Sequence, residues 1–197
     1  MKLKELIRAG RVFDRQEGRA GFYHIALDIA NKYLLQAAII ILATWNGSRF
    51  RMKSNDPKNL IKLEATIKLI KPLLSPLKAY NIQRVDLKRK APEIIKIYNL
   101  LSRIPGVEYT GASKVMNIAN PKLFVMWDSY IRKHYEIKGN DGKAYVRFLE
   151  KMQKEVKNIR WDKRSKTLAK AIDEYNYVYY TLPELKKDRI NKKNKKY

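Results

Sequence analysis

Residues 101 to 116 read Leu-Ser-Arg-Ile-Pro-Gly-Val-Glu-Tyr-Thr-Gly-Ala-Ser-Lys-Val-Met, and the fold reading turns on them. Leu101 and Ile104 close one apolar helical face, Pro105-Gly106-Val107 makes a tight turn, and Ala112, Val115 and Met116 open a second face at helical spacing. The pattern predicts two helices joined by a short hairpin. Gly106 lets the backbone turn sharply and approach a neighbour, and Ala112 lets the two helices pack closely. Such a turn presents N–H groups at the start of the second helix, where the helix dipole also favours an anion such as a DNA phosphate.

Outward from this hairpin the chain reads as helical almost throughout. Leu3, Leu6 and Ile7 form a short stripe ending at Gly10, followed by a polar stretch from Phe13 to Arg19. One long helix, or two joined near Asn31, spans about Gly21 to Trp45, and Asn46-Gly47 is expected to end it. Asp56-Pro57 opens the next helix and Pro72 breaks or kinks it. Asn81 to Lys90 reads as a basic strand-like or loop-like connector, with Pro92 opening the helix that leads to the hairpin. Asp141-Gly142 precedes a helix with Tyr145, Phe148, Leu149, Met152 and Val156 inward, and Asp162 or Ser165 is placed to cap a last one. The expected fold is all-α, a unit over residues 1–185 made of two helical lobes with a central cleft. Residues of about 50–120 carry the hairpin, and 1–49 plus 121–185 complete the second lobe. Residues 186–197 are so rich in lysine that a disordered basic tail is expected.

The 197 residues contain no cysteine, which excludes a disulfide framework, a thiolate zinc site and a cysteine-held iron–sulfur cluster. The formal charge of +24 calls for a polyanionic partner, and nucleic acid is the leading one. The most apolar stretch, Leu34 to Trp45, is too short for a membrane helix, and the first residues lack the apolar run of a secretory signal. A cytoplasmic, nucleoid-associated location without membrane contact is the corresponding expectation.

Ile104-Pro105-Gly106-Val107 through Met116, taken with Asp128, resembles the helix-hairpin-helix DNA glycosylase superfamily, which includes endonuclease III, the adenine glycosylases and the oxoguanine glycosylases. Asp128 follows Thr110 at the spacing that separates the family's lysine from its essential aspartate, and Asp128-Ser129-Tyr130-Ile131 is similar to the family's Asp-Thr-His-Val segment. The resemblance implies a monomer without cofactor or metal. Its partner would be double-stranded DNA bearing a damaged or mismatched base, which is flipped out and removed by hydrolysis. Asp128 is the catalytic candidate, since an ionised carboxylate at a helix start can stabilise the positive sugar as the base departs. It is equally placed to cap the helix that follows.

The chain departs from the pattern at two positions. Glu108 stands where the hairpin has its second glycine, putting a carboxylate at the turn that should meet phosphate. Thr110 stands in place of the lysine, so the resemblance implies a monofunctional enzyme that activates water, with Lys114 one turn on as the alternative amine. Gly106, Val107, Thr110, Gly111, Lys114, Lys88, Arg89 and Lys90 are the DNA-binding candidates. Trp127, Trp45 and Asn46 are candidates for the base pocket, although a tryptophan after Leu123-Phe124-Val125-Met126 also reads as core and Asn46 as a helix cap. The alternative from a different class is a non-catalytic DNA-binding or architectural protein on the same scaffold, and a third reading is an RNA-binding protein that uses the tyrosines from Tyr175 to Tyr180.

Overall fold

The computed structural model describes residues 1–162 and 165–194, with backbone only for residues 189 and 192–194. Among these residues the chain is all-α, with eleven α-helices and no strand. They are α1 (Leu3–Gln16), α2 (Ala20–Ala30), α3 (Leu34–Trp45), α4 (Gly47–Ser54), α5 (Pro57–Leu74), α6 (Leu87–Ser102), α7 (Glu108–Ala119), α8 (Ser129–His134), α9 (Gly142–Val156), α10 (Leu168–Asn176) and α11 (Leu182–Asn194). None is long and apolar enough to cross a membrane.

The hairpin forms where the sequence places it, with α6 and α7 joined by residues 103–107 and Ala112 fully buried between them. Gly106 has φ +88° and Glu108 φ +52°, so both residues of the turn are left-handed, a conformation that favours glycine. A Cβ on Gly106 would come within 2.9 Å of Lys53 Cβ and 3.3 Å of Phe50 Cα, because α4 crosses over the turn.

Several boundaries differ from the sequence expectation for local reasons. Phe13 to Gln16 belong to α1, whose buried Leu6, Ala9 and Phe13 extend one face past Gly10. Asn46 does end α3, as expected, but no loop follows, because α4 starts at once at Gly47. The helix entering the hairpin begins at Leu87 and not at Pro92, since Asp86 accepts the Arg89 N–H at 3.0 Å and caps it. Pro92 is then carried inside α6, its cost offset by burial of Ile94, Ile97, Tyr98 and Leu101. Thr167, rather than Asp162 or Ser165, caps α10. Beyond Lys186 the chain stays helical to Asn194, where composition alone predicts disorder, and expected tail residues 195–197 lie outside the described residues.

The helices share one apolar core running from Leu6 to Ile172. Part of it is an aromatic cluster, with Tyr98 stacked on Tyr145 at 4.7 Å and Trp127 edge-on to both. Helix α9 docks on α6 through Gly142, where a Cβ would sit 2.8 Å from both Cα and O of Ile95. Gly142→Ala is therefore expected to cost about 1–3 kcal/mol through forced separation of the two helices. Urea unfolding would show a lower midpoint with an unchanged slope.

Between α10 and α11 the helix loosens into one π turn, Tyr177–Thr181. The extra residue rotates the end of α10, and such turns recur where helices carry functional groups. Here it brings Thr181 within 2.7 Å of Asp128 and Tyr177 within 3.3 Å of Glu17.

Candidate active site

A cleft of about 830 Å³ opens beside the hairpin, and Trp45, Thr110, Lys114, Asp128, Asp173 and Thr181 all line it. Asp128 and Lys114 therefore share one cavity. Arg19, Arg49 and Arg51 also line it, Arg19 paired with Glu17 and Arg49 with Glu108.

Asp128 caps α8: its Oδ1 accepts the N–H groups of Tyr130 and Ile131, both at 2.9 Å. Its Oδ2 accepts the Thr181 hydroxyl at 2.7 Å. The carboxylate is thus fixed by α8 on one side and by the π turn on the other. Capping and presentation to the cleft coexist in the same side chain.

Lys114 sits on the second turn of a helix whose other faces are core; Gly111, Ala112, Ser113, Val115, Met116 and Asn117 are all buried. Its only open direction is the cleft, and there Nζ donates to the backbone carbonyl of Trp45. Loss of water pulls its pKa down from the ordinary lysine value to about 8, against the opposing pull of the Asp128 and Asp173 carboxylates. Arg19 and Arg49 add to the lowering. About one side chain in ten is then the neutral amine at pH 7, in the state needed for nucleophilic attack or for proton transfer, and about half at pH 8.

Trp45, at the end of α3, forms the wall opposite. It stacks on Tyr23 with centroids 5.5 Å apart and meets Phe13 edge-on at 6.2 Å. Its buried indole N–H has no acceptor among the described residues. Trp127 is placed differently: its ring is in the core, 1% exposed, with the indole N–H donated to Tyr98 Oη at 3.0 Å. Both tryptophans line the cleft, but Trp127 is buried whereas Trp45 is half-buried.

The hairpin residues divide into two groups. Gly106, Val107 and Gly111 are buried, and a Cβ on Gly111 would strike Leu42 at 2.8 Å, so this glycine serves the packing of α7 on α3. Asn46 ties the same junction together by donating to the carbonyls of Gly106 (2.6 Å) and Val107 (3.2 Å). Thr110, by contrast, opens on the cleft. Glu108 is held by Arg49 at 2.6 Å, which neutralises the carboxylate at the turn. Lys88, Arg89 and Lys90 lie at the start of α6 outside the cleft lining; Arg89 donates to Tyr80 Oη at 3.1 Å and Lys90 pairs with Glu93 at 3.2 Å.

Sequence reasoning overlooked Glu17, Arg19, Asp173 and Thr181, which complete the cleft. Glu17 and Arg19 form a forked pair, 2.6 and 2.9 Å, that also reaches the Thr44 carbonyl. Asp173 is buried on α10, where burial raises its pKa. Helical spacing alone assigns Asp173 to a solvated face, since on α10 it points away from Leu168 and Ile172. The tyrosines of this region pack among helices, with Tyr175 against Tyr179 at 4.6 Å and Tyr180 on His134 at 3.5 Å.

No known family model matches the chain, and neither a curated protein nor a solved structure matches it.

Proposed function

We propose that the protein is a DNA glycosylase that flips a damaged or mismatched base from duplex DNA and severs its N-glycosidic bond, with helical lobes on either side of the cleft. The single observation carrying this reading is the pairing, in one arginine-lined cleft beside a helix-hairpin-helix, of a desolvated lysine and a helix-capping aspartate. Trp45 is the stacking surface for the extruded base, and the exposed Arg49 and Arg51 of α4, the helix that covers the hairpin turn, face the phosphates.

In this reading Lys114 replaces water as the nucleophile. A neutral amine that donates one N–H to the Trp45 carbonyl keeps its lone pair. That pair forms a bond to C1′ of the deoxyribose as the C1′–N bond breaks, and the base leaves with the bonding electrons. The new ammonium gives up one proton to the departing base; the nitrogen lone pair then forms the C=N bond as the C1′–O4′ bond breaks, and the remaining N–H proton passes to O4′, leaving an imine that can be reduced. Asp128, fixed by three hydrogen bonds, offsets the positive charge that develops at C1′.

The test is an incision screen with purified protein on duplexes bearing uracil, oxoguanine, alkylated bases and mismatches. Release of at least one of these bases is expected. Binding to all of them without release of any would instead favour the non-catalytic DNA-binding protein, a reading supported by the fact that both Asp128 oxygens are engaged in holding the fold.

Glu108 gives a separate check on the DNA-facing side. Glu108→Gly relieves a left-handed residue and releases Arg49, whose exposed ion pair contributes little to folding. Stability should change by less than about 1 kcal/mol, while duplex affinity rises and its salt dependence steepens by about one released counterion. Fluorescence anisotropy over a salt series reads this out, and weaker binding by the variant would place the DNA elsewhere.

A further inference from the structure

Lys170 is a lysine in an improbable place. It is 3% exposed, and its ammonium lies 4.4 Å from the Phe13 ring centroid, 4.6 Å from Tyr23 and 4.8 Å from Trp45. Three aromatic faces around one cation are favourable when water is excluded. The remaining side is closed by carboxylates, Asp173 at 2.7 Å and Glu174 at 3.7 Å. Glu174 is in turn paired with Lys166 at 2.9 Å, and Lys166 reaches the surface at Asp14, 2.6 Å away. A small cavity of about 60 Å³ separates this cage from solvent beside Lys166 and Thr167.

Two members of this cage also serve the cleft. Trp45, clamped by the Lys170 cation and by Tyr23, supplies the carbonyl that receives Lys114 Nζ. Asp173, held by Lys170, lines the cleft with Lys114 and Asp128. The charged groups acting on Lys114 are Asp128 and Asp173 on one side and Arg19 and Arg49 on the other. A buried ion pair adds little to stability, because desolvation consumes most of its attraction, so its retention here asks for another role.

We propose that Lys170 and Asp173 are positioning residues for Lys114: the aromatic cage fixes the Lys170 ammonium, the ammonium fixes and partly neutralises the Asp173 carboxylate at the inner wall of the cleft, and Trp45 and Asp173 together set how the Lys114 amine is held. The inference rests on Lys114 as the nucleophile of the proposed reaction. Without Lys170, Asp173 stands as an uncompensated buried carboxylate that pulls a proton onto Lys114. Without the Asp173 charge, Lys114 loses one of the two carboxylates that favour its ammonium.

The two substitutions therefore move the amine in opposite directions, which a role confined to packing does not. The probe is ¹³C-labelled lysine in the full chain, with the Lys114 resonance assigned by its loss in Lys114→Met and followed against pH. Asp173→Asn, nearly isosteric, should lower the Lys114 midpoint by about one pH unit, and Lys170→Met should raise it by a similar amount. Unmoved midpoints, or shifts in the same direction, would overturn the inference. If Lys170→Met does not fold, Asp173→Asn decides it alone, a fall supporting the inference and no change refuting it. A wild-type midpoint at the ordinary lysine value would instead count against Lys114 as nucleophile, so the two failures are distinguishable.

Discussion

Lys114→Met is expected to bind duplex DNA almost as well as the wild type, release no base, and yet be the more stable protein at neutral pH. The three effects share one cause. Burial holds the Lys114 pKa down to about 8 in the folded chain, whereas in the unfolded chain the amine has its ordinary, higher value. Between those values the unfolded state binds more protons, so wild-type stability rises with pH across that window and the cost of the buried ammonium is largest below pH 8. Methionine fills a similar volume with no charge to desolvate. Losing the bond to the Trp45 carbonyl takes back part of the gain, leaving about 1–2 kcal/mol in favour of the variant at pH 7. Above the ordinary lysine value both states hold the neutral amine and the advantage disappears. Chemical denaturation of both proteins between pH 6.5 and 10.5 measures this difference. A variant that is less stable at pH 7 would mean that Lys114 is part of the structural frame.

Asp128→Asn should show the converse separation, with structure kept and chemistry lost. The asparagine Oδ1 can still accept from Tyr130 and Ile131, and the Thr181 hydroxyl can rotate to accept from the new amide. The α8 cap survives and stability changes by less than about 1 kcal/mol, whereas Asp128→Ala would lose the cap and about 1–2 kcal/mol. What asparagine cannot supply is negative charge opposite the developing positive sugar. Base release should fall about a hundredfold to a thousandfold, the range for removal of one preorganised electrostatic group. Single-turnover kinetics on whichever duplex the incision screen selects is the measurement. Unchanged release would reduce Asp128 to a cap.

The all-α fold and its hairpin were legible because their signals are local. Apolar residues at helical spacing, Gly106 in a turn, and Asp56, Asp128 and Asp141 as caps each act within a few residues. The start of α6 was missed because the Asp86 cap competes with the stronger-looking Pro92, and burial of the following face decides between them. The cleft was half legible: Asp128 follows from the hairpin and its spacing, but Lys114 looks like any lysine on a phosphate-facing helix until α3 is seen to close over it. Lys170, Asp173 and Glu174 carry the opposite lesson. Charges in a helix read as solvated, and only tertiary packing on Phe13, Tyr23 and Trp45 turns that face inward. The π turn that brings Thr181 to Asp128 has no sequence signature in the run Tyr177 to Thr181.

Trapping on a duplex with an abasic site tests the central claim most directly, since it bypasses the identity of the released base. Borohydride reduction of the imine gives a covalent protein–DNA adduct, and peptide mass spectrometry locates the attached amine. The account predicts an adduct on Lys114, forming faster as pH rises toward 8 and absent from Lys114→Met. An adduct confined to other lysines, or none under conditions where the duplex is bound, would contradict it.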